Sequence, residues 1–200
     1  MNLKEFFIPT DVQMMRYHVS EIRKSLEEFT HRLYLKNPKY EKDIKARESK
    51  IRAIFHNEKL PDTGYNFQPS HKLLEAAFEP DPAYPDRIFL LSLGLIKSID
   101  EAYRFDEGPI ITTLEIHSES LEKLYYNFSQ VKWRLKVYRD KQGELFFLTN
   151  EAGEDGYINM GYEVIMTEIL TRIKDDIFIR GGAPPKMFFT MSTVFLSILL

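Results

Sequence analysis

The chain has 200 residues, no cysteine, a formal net charge of −3 and 44% hydrophobic residues. That length is enough to bury a real core, and that charge gives no general pull toward nucleic acid or an anionic membrane. The missing cysteine excludes disulfides, thiolate metal sites and a Cys nucleophile.

The opening stretch MNLKEFFIPTD has no apolar run and no small-residue cleavage site, so it does not read as a signal peptide. A native Met1 implies the cytoplasm. A Met1 that replaces a removed leader implies a bacterial periplasm or a lipid-anchored envelope protein. Val12, Met15, Val19, Ile22, Leu26, Phe29 and Leu33 then recur in steps of three and four, one apolar stripe down a long helix. Thr10 and Gln13 have the spacing of a capping box. Asn37-Pro38 closes this helix and opens the next, over about 38–56, with Tyr40, Ile44, Ile51, Ile54 and Phe55 as its sparser apolar face. Its charges predict i,i+4 pairs: Glu41 with Lys45, Asp43 with Arg47 and Glu48 with Arg52. Those pairs neutralise much of the basic excess in 36–52, so no nucleic-acid partner is expected.

Residues 57–86 change character. Pro61, Pro69, Pro80, Pro82 and Pro85 fall among Tyr65, Phe67 and Tyr84, and only SHKLLEAAF, 70–78, reads as helical, with Ser70 as its cap. A long, stiff, aromatic-bearing connection inside a compact domain tends to be functional. Tyr65, Phe67, His71 and Tyr84 are therefore the candidate partner-binding residues, since prolines lower the entropy cost of ordering a loop on a partner.

RIFLLSLGLIKSIDEAYRF, about 87–105, is apolar nearly all round until Lys97 and predicts the central helix of a bundle, buried over 88–99 and capped by Asp86. Gly94 within it predicts a close helix crossing, or backbone against which a ligand rests. Leu121, Leu124, Phe128, Val131, Leu135 and Tyr138 place a second clean stripe on a helix over 118–139. A competing reading makes WRLKVYRD and ELFFLT a hairpin around DKQG, because Trp133, Leu135 and Val137 also alternate. ELFFLT and GYINM predict a small β-hairpin near 144–160 around an acidic loop. A further helix over 161–178 carries Ile165, Ile169, Leu170, Ile173 and Ile177 and closes at Gly181-Gly182. The tail MFFTMSTVFLSILL would span about 21 Å as a helix, short of the roughly 30 Å of a bilayer core. It predicts a final core element, helical or extended, packed on the 88–99 helix.

The fold expected is mainly α: one domain over 1–200, an irregular bundle of about six helices around 88–99, with the hairpin near 144–160 and an insertion-like segment at 57–86. No phosphate loop, dinucleotide turn, nucleophile elbow or zinc-helix motif occurs in the chain. Glu28 and His31 form one Glu-x-x-His, where a di-iron bundle site needs two; His18 and Glu21 add only a flanking pair. The acidic loop NEAGEDG, 150–156, offers oxygen ligands in no known calcium spacing. No metal or cofactor is expected. His117 and Glu119, just at a helix start, are a candidate polar site. Two functions follow: a non-catalytic interaction or scaffold protein of bacterial type that binds a protein through 57–86, or a helical enzyme or small-ligand binder with a pocket near His71 or His117.

Overall fold

A computed structural model describes residues 10–104, 116–149, 161–183 and 194–198. It contains six helices: α1 (Thr10–Lys36), α2 (Ile44–Phe55), α3 (Ser70–Ala77), α4 (Arg87–Tyr103), α5 (Ser118–Val137) and α6 (Gly161–Ile179). The architecture is an irregular bundle. All seven stripe residues of α1 are buried, as are Leu121, Leu124, Phe128, Val131 and Leu135 of α5 and all five expected residues of α6. No described helix is long and apolar enough to cross a membrane.

Helix α4 is the axis. Every residue from Arg87 to Ile96 is buried, and α1, α2, α3 and α5 all pack against it. Asp86 caps it, its Oδ1 accepting from the backbone N–H of Ile88 at 3.1 Å and of Phe89 at 3.0 Å. Gly94 is where α3 crosses: a Cβ there would stand 2.9 Å from Leu74 Cδ2 and 3.1 Å from Leu73 Cβ. The close crossing, and no ligand, therefore accounts for this glycine. The N-terminus of α3 is capped from α4. Glu101 accepts from the Ser70 backbone N–H at 2.8 Å and from the Ser70 hydroxyl, so Ser70 is a capped residue and not the cap.

Two expectations for the second helix fail. It begins at Ile44, with Asp43 as its N-cap, because Asn37 and Tyr40 are committed to distant chain. Asn37 Nδ2 donates to Leu148 O at 3.0 Å while Asn37 Oδ1 accepts from Leu148 N at 2.7 Å. Tyr40 Oη donates to Phe146 O at 2.5 Å. Glu41 and Asp43 thus precede the helix and form none of the i,i+4 pairs; Glu41 instead meets Lys50 at 2.7 Å and Arg52 meets Glu58 at 3.2 Å. Ile44 is exposed, whereas Ile51 and Ile54 are buried.

The expected β-hairpin near 144–160 is also overturned. Among the described residues there is no strand, only an isolated antiparallel bridge between Arg139 and Leu145 across a tight turn. A strand buries alternate residues, but Phe146 and Phe147 are both buried, and the next backbone pair is taken by the Asn37 amide. The helical reading of 118–139 holds to Val137, and the competing hairpin shrinks to that one bridge. Residues 150–160 lie outside the described residues. Of the tail, 194–198 is not helical; Phe195 and Ile198 are buried against the core.

Candidate functional site

The proline-rich segment is built around two polar hubs. Prolines at 80, 82 and 85 hold the chain extended, and this backbone offers carbonyls that cannot all find helical partners. Arg87 answers them from the first turn of α4. Its guanidinium donates to Ala77 O at 2.9 Å, to Glu79 O at 2.5 Å and to Pro80 O at 2.8 Å, and it stacks 4.2 Å from the Phe146 ring. Asp86 beside it accepts from Tyr34 Oη at 2.9 Å and Lys50 Nζ at 2.8 Å. Burial, and then the Asp86 carboxylate, hold the Tyr34 hydroxyl well above its ordinary range. Burial alone would lower the Lys50 pKa, but its bonds to Asp86 and Glu41 outweigh that and raise it.

The earlier part, 61–68, is a closed loop. Thr63 Oγ1 donates to Asn66 Oδ1 at 3.0 Å, Asn66 Nδ2 to Pro61 O at 3.0 Å, and Gln68 N to Tyr65 O at 3.0 Å. Gly64 supplies a φ of 73° that a side chain would strain. Lys97, the residue that ends the apolar run of α4, donates to Asn66 O at 3.0 Å and Gln68 O at 2.7 Å and ties the loop to the bundle.

The four partner-binding candidates do not share one surface. Tyr65 and Tyr84 pack against the core; Tyr84 lies 5.5 Å from the Phe89 ring with Lys50 over its face. His71 is half-buried on α3, its Nδ1 buried without a hydrogen-bond partner. Phe67 alone projects, 99% exposed. His117 is the exposed N-cap residue of α5 and makes no side-chain cap bond; Glu119 pairs with Lys123 at 3.1 Å. No hydrogen bond or ring contact joins His71 to His117 among the described residues. A surface cavity of about 260 Å³ is lined by Arg32, Leu35, Lys36 and Tyr162, and a smaller one lies between α5 and α6; His71 and His117 line neither of these.

The acid–histidine pairs resolve differently from their sequence spacing. Glu28 bonds Arg32, and His31 faces Glu48 at 3.6 Å. His18 does not work with Glu21. Its Nδ1 meets Asp176 Oδ1 at 2.7 Å, and Asp176 Oδ2 accepts from Tyr103 Oη at 2.6 Å. Burial pushes the Asp176 carboxyl up, partly offset by these two partners. This triad from α1, α4 and α6 fixes an imidazole in one orientation, the role a buried acid plays beside a catalytic His. No metal-binding set joins it among the described residues. It was missed because its members are scattered; the available signal was an acid at a core-facing position, three residues after Ile173.

One further feature gave no sequence signal. Along α5, Asn127, Gln130 and Arg134 stand on the face that the tail covers. Asn127 Nδ2 donates to Leu196 O at 2.8 Å and its Oδ1 accepts from Leu196 N at 2.9 Å. Phe195 lies over Arg134, 4.0 Å from ring centre to guanidinium. Residues 194–198 therefore seat on α5 and on Phe78 at the end of α3. No protein-family model, no curated protein and no solved structure matches this chain.

Proposed function

We propose that the protein is a non-catalytic interaction module that binds a protein partner through the 61–68 loop, with Phe67 as the anchor. The observation that supports this reading is the exposure of Phe67, 99%, on a loop whose own polar groups and Lys97 already fix its shape. A large aromatic ring held in water by a rigid frame gains most when a partner pocket closes on it, and little loop entropy is lost. Tyr65 serves the frame by packing against the core.

The test places a photo-crosslinking phenylalanine analogue at position 67, and at the exposed Leu35 as control, in the native cell. A discrete covalent adduct forms from position 67 and not from position 35. Phe67→Ala should leave stability within about 0.5 kcal/mol, as expected for an exposed side chain, and abolish retention of the partner identified in the adduct. Retention of that partner at unchanged affinity by Phe67→Ala would end this reading.

A further inference from the structure

Two buried arginines in this protein invite comparison. Arg87 is 6% exposed, and its guanidinium reaches three backbone carbonyls. Arg134 is 3% exposed, yet its Nε and Nη2 donate to no acceptor, and no carboxylate pairs with it among the described residues. Its compensation is aromatic: Phe195 at 4.0 Å, Tyr138 at 5.1 Å and Phe78 at 5.5 Å surround it. Rings attract a cation but do not replace the hydrogen bonds lost on leaving water. One turn earlier on the same face, Gln130 Oε1 is buried and accepts nothing.

The tail that covers these groups explains only part of the surface. Asn127 clasps both backbone groups of Leu196, and the apolar anchors Phe195 and Ile198 are buried on either side. This is the recognition of an extended segment by its backbone plus two pockets. The tail has no acid anywhere from Met187 to Leu200, so its side chains bring no carboxylate to Arg134.

We propose that residues 194–198 sit in a peptide-binding groove on α5 as an internal stand-in, and that its ligand is an extended segment of another protein carrying the same apolar spacing and a carboxylate. In that complex Asn127 reads the ligand backbone as it now reads Leu196. Gln130 accepts a ligand N–H, and Arg134 donates its two free N–H groups to the carboxylate. Charge complementarity selects this occupant over a second copy of the tail, which has the spacing without the charge. The groove shares no residue with the 61–68 loop and stands or falls independently of the Phe67 reading.

The experiment uses the full chain carrying Phe195→Ser, which loosens the internal tail, and labelled peptides of sequence TVFLSI. Three further peptides carry Val194→Glu, Leu196→Glu or Ser197→Glu. By fluorescence anisotropy, at least one glutamate peptide binds roughly tenfold or more tightly than the parent, the size expected when a charge-assisted bond replaces none. Arg134→Gln returns that peptide to the parent's affinity. If either variant fails to fold, the wild-type chain decides: its Arg134 Nε–H NMR signal shifts on titration with the glutamate peptide and not with the parent. Two results overturn the proposal. In one, the parent binds as well as every glutamate version, which makes the groove a site of tail exchange between copies. In the other, no peptide binds and the Arg134 signal stays in place.

Discussion

Tyr34 and Tyr103 carry the same device at opposite ends of α4: each buried hydroxyl donates to a carboxylate, Asp86 or Asp176. Burial, and next the neighbouring carboxylate, raise both phenols above their ordinary 10.0, and burial pushes Tyr40 up to about 12. The sign of the consequence follows from proton binding. Above about pH 10 the unfolded chain releases phenol protons that the native state keeps, so stability falls as pH rises. Lys50 adds to the same slope, since its raised pKa makes its contribution complete at neutral pH and lost only in alkali. Urea unfolding between about pH 9 and 11 should therefore show a steep decline. Tyr34→Phe with Tyr103→Phe should flatten it; an unchanged slope in the double variant would refute the assignment. Asp86 as a cap was legible in sequence because a cap acts on its own next turn. Its bonds to Tyr34 and Lys50 were not, because they depend on where α1 and α2 lie.

At the scale of elements, periodicity was the reliable guide. The α1 stripe, the all-round apolar α4 and the α6 stripe are all buried as read, since each pattern is generated by local helical geometry. What failed were features whose partners lie elsewhere in the chain. The start of α2 was displaced to Ile44 by bonds from Asn37 and Tyr40 to residues beyond 145. Which of Tyr65, Phe67 and Tyr84 would stay in water depended on packing that spacing does not encode. Gly94 tests the element scale directly. Alanine gains about 1 kcal/mol in helix propensity, but its Cβ would meet the fully buried Leu74 at 2.9 Å. Because Leu74 is enclosed and cannot swing away, the overpacking cost dominates. Gly94→Ala should lose about 1–2 kcal/mol in urea unfolding, whereas a gain would mean that α3 can shift.

Across the whole molecule, two buried asparagines do work that sheet hydrogen bonds do elsewhere. Asn37 and Asn127 each hold one extended residue by both its backbone groups, Leu148 and Leu196. The first ties the end of α1 to chain 111 positions away. Asn37→Ala should cost about 2 kcal/mol for the two bonds, and amide hydrogen exchange at Leu148 should accelerate while α4 amides remain protected. Exchange at Leu148 unchanged from wild type would show that Phe146 and Phe147 alone hold this segment.

The Asn127 clasp also has a history during synthesis. Its two halves are 69 residues apart, and a ribosome adding about 5–20 residues per second needs roughly 3–14 seconds to make that stretch. For that interval α5 exists without the segment that covers it. The nascent chain thus presents Asn127, Gln130 and Arg134 to any neighbouring peptide before its own residues 194–198 are available to compete.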